Sequence, residues 1–367
     1  MKPFIVFFVA ALLAAPAARA STAADYGGCA GTVPENVIDA DPANYRTLLA
    51  SLQPGDLLRL APGTYGQGLP FDAHHGEPDR CIVVEGPASG PPAVLTGRDC
   101  CNTVSLTDSS YLVIRNLELD GMGRDGDGVK AESTSDFVHS VTLENLYVHG
   151  HGVGHWPLAG PGAEDDYLIY GNFFHQNPNE ALFQGEGNVI FYANLLVNDF
   201  GAAVHVQPHE DQPRRVRIFH NTIVADGTTV AITGGLAGFE RRLVGNALFG
   251  AAPTGGTQLD NTTDAYAAAG TYLVNPDGVL AGAADRLDLF PLAGLLDGAV
   301  DTGGLSVYED WNVDFNFRTR SVSVRGAYGG SGQNPGWLPA LERKSEPSIF
   351  VDGFESGNTS AWSSAVP

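Results

Sequence analysis

A short apolar run, a bend and a second short apolar run recur six times between residues 111 and 250. An apolar residue stands three positions before each bend, and another stands two positions after it. The bends follow one another at intervals of 22 to 29 residues and fall at Leu117, Leu146, Asn172, Asn194, Asn221 and Asn246. A drifting period in the twenties that is made of short strands predicts a solenoid of stacked β-coils, because one coil cannot bury its apolar face alone.

Four of the six bend positions are asparagine, which has two properties that suit a repeated bend. Asparagine tolerates the left-handed backbone region, and its side-chain amide hydrogen-bonds to backbone groups of neighbouring chain. We therefore expect Asn172, Asn194, Asn221 and Asn246 to stack once per coil and to form a ladder inside the solenoid.

These repeats resemble the right-handed parallel β-helix proteins of the pectate-lyase-like superfamily. The stretch NYRTLLASLQPGDLLRLAPGTY, from Asn44 to Tyr65, resembles the entry of the polysaccharide lyases with this fold, of the chondroitinase B and alginate lyase type. The resemblance covers residues 35–330 and implies an all-β parallel β-helix with an N-terminal cap and an irregular C-terminal tail. The same architecture carries lyases, hydrolases, phage tailspikes and adhesins, so it implies no single activity.

Composition divides the chain into three segments. Residues 1–20 combine Lys2, an apolar run from Phe4 to Ala15 and a small-x-small site ending at Ala20, the pattern of a cleaved signal peptide. The alternative is an N-terminal membrane anchor, although the run is short for a spanning helix. Residues 25–330 are the predicted β-helix, and residues 331–367 are expected to be a flexible tail. We therefore expect a secreted or periplasmic protein without a membrane span.

All four cysteines, Cys29, Cys81, Cys100 and Cys101, lie in the N-terminal quarter of the expected mature chain. An even number in an exported chain predicts two disulfides, for which three pairings exist. A bond between adjacent cysteines is strained, so we expect Cys100 and Cys101 each to pair with Cys29 or Cys81. Metal binding is disfavoured because the spacing typical of zinc sites is missing.

The chain has 20 Lys and Arg against 42 Asp and Glu, a formal net charge of −22 at pH 7. This excludes a nucleic-acid binder of the ordinary basic kind, which replaces counterions along the phosphate backbone. A polyuronate is also repelled unless cations intervene, and Arg214, Arg215 and Arg217 form the one basic cluster on the helix body. The expected partner is a polysaccharide or surface glycan, and the oligomeric state is left open.

One outward column, three residues past the bends, changes character along the solenoid. It reads Asp120, His149 and His175 in three coils, and then Val197, Val224 and Phe249 in the next three. The following strand of each coil adds further polar groups, namely Lys130, Glu132, Gln184, His205 and Gln207. Because neighbouring strands lie about 4.8 Å apart, these side chains are expected to line one lateral groove.

Lyases of the fold that this chain resembles abstract the proton α to a uronate carboxylate with Lys or Arg, often with Ca²⁺. The resemblance therefore implies Lys130 as the base and Asp120, Asp125 and Asp127 as Ca²⁺ ligands. His149, His175 or His205 is then the proton donor to the leaving oxygen. The remaining candidates, expected to bind substrate, are Glu132, Trp156, Gln184, Gln207 and Arg214.

Several alternatives to a Ca²⁺-assisted lyase stay open. The Glu-x-Lys-Ser motif of the chondroitinase B-like alginate lyases is absent, and so is the Asp-Asp and His-Gly pattern of polygalacturonases. Lys130 is also compatible with a surface ion pair, Glu132 and Glu180 with a hydrolase, and the exported solenoid with a structural or adhesive role. A further alternative is Zn²⁺ bound by two or three of the histidines His149, His151, His155, His175 and His205.

Overall fold

The computed structural model describes Cys29, residues 33–124, 126–132, 134–136, 138–151, 167–209, 212–281, 285–321 and 323–340, and Lys344. The predicted signal peptide, residues 1–20, lies outside these residues, as do Asp125, Trp156 and most of the predicted tail. Within the described part of the chain, no helix is long and apolar enough to cross a membrane.

Parallel strands from successive coils form the walls of a right-handed β-helix, as the resemblance implied. Sheet 1 has ten strands, in spatial order β1 (Asn36–Ala40), β2 (Asp56–Leu60), β5 (Ile82–Glu85), β8 (Ser110–Arg115), β11 (His139–Glu144), β13 (Tyr167–Tyr170), β16 (Val189–Tyr192), β19 (Val216–Phe219), β22 (Arg241–Val244) and β24 (Thr257–Leu259). Sheet 2 has nine, β3 (Gly63–Tyr65), β6 (Ala93–Thr96), β9 (Glu118–Arg124), β12 (Tyr147–His151), β14 (Phe173–His175), β17 (Leu195–Asn198), β20 (Thr222–Thr228), β23 (Ala247–Ala251) and β25 (Thr262–Asp264).

The third wall consists of two separate three-stranded sheets in the described residues. Sheet 3a contains β4 (Leu69–Asp72), β7 (Val104–Thr107) and β10 (Val129–Glu132), and sheet 3b contains β15 (Phe183–Gly185), β18 (Val204–Val206) and β21 (Val230–Ile232). The elements outside the walls are helix α1 (Tyr45–Leu49), a 3-10 turn (Tyr266–Ala268), helix α2 (Ala269–Tyr272) and the antiparallel pair β26 (Leu273–Asn275) and β27 (Asp288–Pro291). Tyr45 and Leu49 of α1 are buried in the core, so this helix caps the N-terminal end.

The predicted asparagine ladder is confirmed and is one rung longer than expected. The Nδ2 atoms of Asn172, Asn194 and Asn221 each donate to Oδ1 of the next ladder asparagine at 3.0 Å, and all three residues are fully buried. Asn246 continues the ladder to Asn261 at 2.8 Å. The repeat pattern missed Asn261 because its coil is short, with only 15 residues between the two asparagines.

The ladder asparagines are not the left-handed residues of the bends, contrary to the expectation. In each of the six bends, the residue one position earlier has the positive φ; these residues are Asn116, Asn145, Gly171, Ala193, His220 and Gly245. The ladder position is therefore selected for its amide rather than for its backbone freedom.

A C-terminal segment, residues 285–321 and 323–328, covers the apolar part of the outward column on sheet 2. Val197, Val224 and Phe249 are nearly completely buried, and they belong to one cluster with Phe290 and Tyr328 of this segment. A related cover lies on sheet 1, where Tyr170, Tyr192 and Phe219 stack and pack against Val300, Leu305 and Tyr308. The outward column thus becomes apolar where another part of the chain packs on it.

The expected cysteine pairing is wrong. Cys29 bonds to Cys81, with Cα atoms 5.5 Å apart, and Cys100 bonds to Cys101. Cys81 directly precedes β5 of sheet 1, and its disulfide lies in a buried cluster with Leu57 and Val83. The two adjacent cysteines instead lie in the turn from β6 to β7, between sheets 2 and 3a, and bond to each other.

Candidate functional site

Sheet 2 carries the polar half of the predicted column in the predicted register. Asp120 on β9 is in register with His149 on β12, and His149 with His175 on β14. Val197 on β17 follows in the same row. The titratable side chains therefore lie on three adjacent strands, directly before the part of sheet 2 that the C-terminal segment covers.

Two carboxylates flank the imidazole of His149. Its Nε2 atom is 3.1 Å from Oε1 of Glu118, and its Nδ1 atom is 3.8 Å from Oδ1 of Asp120. The side chain of Glu118 is only 9% exposed, whereas that of Asp120 is 32% exposed. The sequence analysis missed Glu118, although its position two residues before Asp120 places it on the same face of the strand.

The ring of Tyr147 holds the His149 imidazole from one side. The two rings stack with their centroids 4.2 Å apart, and Tyr147 also stacks on Phe173 of the next strand at 5.2 Å. Burial raises the pKa of the Tyr147 hydroxyl well above its usual range, and the charges of Glu118 and Asp120 act in the same direction. Tyr147 therefore stays neutral and serves as a packing surface for the imidazole.

A small pocket of about 20 Å³ opens beside His149, between sheet 2 and the turn that leads into β15. Its lining in the described residues is Gly128, Val148, His149, His151, Phe174, His175, Gln176, Asn177 and Leu182. His151 is buried, with Nε2 3.1 Å from Oγ1 of Thr103. Burial lowers the pKa values of His151 and His175 to about 4, so both are neutral at pH 7.

The lowered pKa of His175 predicts that the folded protein loses stability in mild acid. A histidine in an unfolded chain titrates near pH 6.5, so the unfolded state binds a proton that folded His175 does not bind. The stability that neutral His175 provides is present above about pH 6.5 and is lost as pH falls towards 4, by about 2 kcal/mol between pH 7 and pH 5.

We therefore expect His175→Asn to lose about 2 kcal/mol less than the wild type does when pH falls from 7 to 5. The measurement is urea unfolding, followed by circular dichroism, at both pH values. His151, His205 and His220 keep their lowered pKa values in this variant and contribute to the slope that remains. Equal slopes for variant and wild type contradict the prediction.

Sheet 3b presents a polar row next to the pocket. Gln184 on β15 is in register with His205 on β18, and burial lowers the pKa of His205. Gln184 donates through Nε2 to Glu180 and accepts at Oε1 from Nε2 of Gln207 at 3.3 Å. The structure thus joins two predicted substrate-binding residues, Gln184 and Gln207, in one hydrogen-bonded row.

Lys130 lies on the outer side of sheet 3a, in register with Ser105. Its Nζ atom is 2.6 Å from Oε1 of Glu132, which is the ion pair that the sequence analysis named as the alternative to catalysis. In the described residues, no strand pairing connects sheet 3a with sheet 3b. The predicted groove is therefore lined by two separate sheets on this wall, and the role of Lys130 as the base stays a prediction.

Two further candidates are Arg214 and Trp156. Arg214 lies before β19, where its backbone N–H donates to Gly187 O at 2.7 Å. Trp156 lies outside the described residues. Their substrate-binding roles stay predictions.

The predicted Ca²⁺ ligands are only partly placed by the structure. Oδ1 of Asp120 accepts from Met122 N–H at 2.8 Å, and Asp127 is buried beside Asn102. Asp125 lies outside the described residues. In the described part of the chain, no group of three or more His, Cys, Asp or Glu side chains is arranged to hold a metal ion. The binding of Ca²⁺ by Asp120, Asp125 and Asp127, and the alternative of Zn²⁺ at the histidines, therefore stay predictions.

Comparison with known proteins gives similarity in structure alone. No protein-family model matches the chain, and no curated protein matches it in sequence. The pectate lyase Pel9A has 13% identity and a TM-score of 0.39, over 85% of this chain and all of its own. An alginate lyase from Paenibacillus sp. str. FPU-7 has 14% identity and a TM-score of 0.34, over 63% and 99%. The similarity is one of fold.

A GH136 lacto-N-biosidase from Eubacterium ramulus is similar at 11% identity, with a TM-score of 0.39 over 62% of this chain. This chain matches about half of that protein's length, 54%. All three TM-scores lie below 0.5, so these similarities give no information on the chemistry of this protein.

Proposed function

We propose that this protein binds a polysaccharide across the pocket beside His149 and cleaves it by proton transfer to that residue. The observation that carries the proposal is the contact between His149 Nε2 and the buried carboxylate of Glu118. A buried carboxylate selects the tautomer with hydrogen on Nε2, and it stabilises the imidazolium after a proton is taken up. The lone pair of Nδ1, on the side of Asp120, is then available as a base.

The reaction class that we propose is β-elimination on a uronate unit. Nδ1 of His149 removes the proton α to the carboxyl group, the electron pair forms the carbon–carbon double bond, and the glycosidic oxygen leaves. Neutral His175 lies one strand away in register, where its ring N–H serves as a hydrogen-bond donor to the leaving oxygen, and water supplies the proton that this oxygen takes up. The amide row of Gln184 and Gln207 supplies donors and acceptors for sugar hydroxyl groups.

Charge favours a substrate whose carboxyl groups are esterified. Glu118 and Asp120 flank the base, and the whole chain carries a net charge of −22, so a free uronate is repelled at this position. An ester removes that repulsion and also makes the α proton more acidic. Esterified polyuronates are therefore the first substrates to test.

The test is absorbance at 235 nm on polyuronates with free and with esterified carboxyl groups, together with an assay for new reducing ends. We expect wild-type protein to produce the absorbance and His149→Gln to lose at least about 100-fold in rate, the lower end for a general base. Lys130→Met is the matched variant and is expected to keep the activity.

Three other outcomes contradict the proposal, and each supports a different alternative. Loss in Lys130→Met with activity kept in His149→Gln identifies Lys130 as the base. New reducing ends without absorbance at 235 nm indicate hydrolysis. No product from any glycan, with correctly folded protein, removes the enzymatic proposal and supports the structural or adhesive alternative.

A further inference from the structure

We propose that the bond between Cys100 and Cys101 is a thiol–disulfide exchange site that dithiol compounds reduce selectively in the folded protein. Cys100 is exposed, and Cys101 is partly exposed. An attacking thiolate must reach a sulfur atom along the disulfide axis, so access decides which bond reacts. The exposed pair offers that access at the surface turn between β6 and β7.

The second disulfide of the same chain provides the contrast. Cys29 is 4% exposed and Cys81 is fully buried, and both pack in a cluster with Leu57, Val83 and Val113. This bond joins residues 52 positions apart and therefore restricts the unfolded chain, which a bond between neighbours does not do. One disulfide is thus placed for stability, whereas the other closes only a small ring at the surface.

The turn that carries Cys100 and Cys101 is held in place without their bond. Gly97 N–H donates to Asp120 O at 2.7 Å, and Thr103 N–H donates to Asp127 O at 2.8 Å. Inside the turn, the guanidinium groups of Arg98 and Arg124 donate to the carbonyl oxygens of Asn102 and Gly97, respectively. Reduction is therefore a local event that leaves the coils stacked.

In the exchange, a thiolate of the dithiol attacks Sγ of Cys100, and Cys101 leaves as a thiolate. The second thiolate of the reagent then attacks the mixed disulfide and releases Cys100. The reagent is oxidised to a disulfide by two electrons, and two protons complete the thiols of Cys100 and Cys101.

The turn is also connected to the pocket. Thr103, two residues after Cys101, contacts His151 through the 3.1 Å hydrogen bond, and Asn102 Oδ1 accepts from Asp127 N–H at 3.1 Å. The hydrogen bond at Thr103 therefore links this turn to the lining of the pocket. This connection gives the exchange site a route to the pocket that is independent of any reaction at His149.

The experiment treats folded full-length protein with dithiothreitol, blocks the thiols formed with N-ethylmaleimide and locates them by peptide mass spectrometry. We expect labels on Cys100 and Cys101 at a rate at least about tenfold higher than on Cys29 and Cys81. Labelled protein is expected to keep the melting temperature of untreated protein. Oxidised glutathione, added before the blocking step, is expected to restore the bond.

The matched control is the double variant Cys100→Ser with Cys101→Ser, which should take up no label under the same conditions and melt like the wild type. Equal labelling rates for both disulfides overturn the proposal, as does faster labelling of Cys29 and Cys81. Absence of any label until the protein is unfolded also overturns it.

Discussion

Replacing Arg320 by methionine is expected to lower the free energy of unfolding by about 3–5 kcal/mol, because several buried acceptors lose their donor. Arg320 is 5% exposed, and its guanidinium donates to His220 Nδ1 at 2.8 Å. It also donates to the carbonyl oxygens of Val324, Gly326 and Tyr328 at 3.2, 2.6 and 3.3 Å. Methionine fills similar space but leaves these acceptors without their donor inside the protein.

Urea unfolding followed by tryptophan fluorescence measures this effect. Arg318→Met is the matched control, because Arg318 lies two residues earlier, is exposed, and its guanidinium donates to Pro335 O at 3.2 Å. The control is expected to lose less than about 1 kcal/mol. A loss of that small size in Arg320→Met shows that the buried guanidinium does not hold the C-terminal segment.

The size of the effect follows from where Arg320 lies. His220 belongs to the bend between β19 and β20, whereas Arg320 belongs to the segment that covers sheet 2. Their hydrogen bond therefore joins the cover to the solenoid. Burial and the neighbouring Arg320 both lower the pKa of His220 well below its usual range, so the imidazole accepts at Nδ1 as a neutral ring. Burial lowers the pKa of Arg320 to about 10, and the guanidinium is still charged at pH 7.

The sequence allowed the solenoid to be predicted because each coil repeats the same local pattern. Because inward and outward residues alternate along each strand, the repeat alone predicts that Asp120, His149 and His175 lie side by side, as they do in the structure. The ladder asparagines were predictable for the same reason. Local repetition is therefore enough to define the walls and the polar row.

Contacts between distant segments could not be predicted in this way. Nothing in the repeat indicates that residues near 290 and 328 cover Val197 and Val224, or that Cys29 reaches Cys81. Glu118 was missed for a different reason, since the column was defined by a single position in each coil. Conversely, an outward apolar residue in a solenoid predicts that another segment of the chain packs on it.

The second large effect is expected from Asn221→Ala in the centre of the ladder. Oδ1 of Asn221 accepts from both N and Nδ2 of Asn194 at 3.0 Å. Its own Nδ2 donates to Phe191 O at 2.9 Å and to Asn246 Oδ1 at 3.0 Å. Alanine leaves the buried N–H of Asn194 without its acceptor and removes the side-chain donor to Phe191 O, whereas Asn246 Oδ1 keeps the backbone N–H of residue 221. Each lost partner costs about 1–3 kcal/mol, so we expect a total loss of about 3–5 kcal/mol.

Asn261→Ala at the end of the ladder is the matched control, because Asn261 is partly exposed and water reaches the groups that it leaves. Its loss is expected to be about 1–2 kcal/mol in the same urea unfolding experiment. Comparing the stability losses of the two variants distinguishes two explanations of how the ladder stabilises the protein. If each asparagine acts only within its own bend, the two variants lose similar amounts. If burial makes the central amides indispensable, Asn221→Ala loses at least about twice as much as Asn261→Ala, and this is the result that the fully buried position of Asn221 predicts.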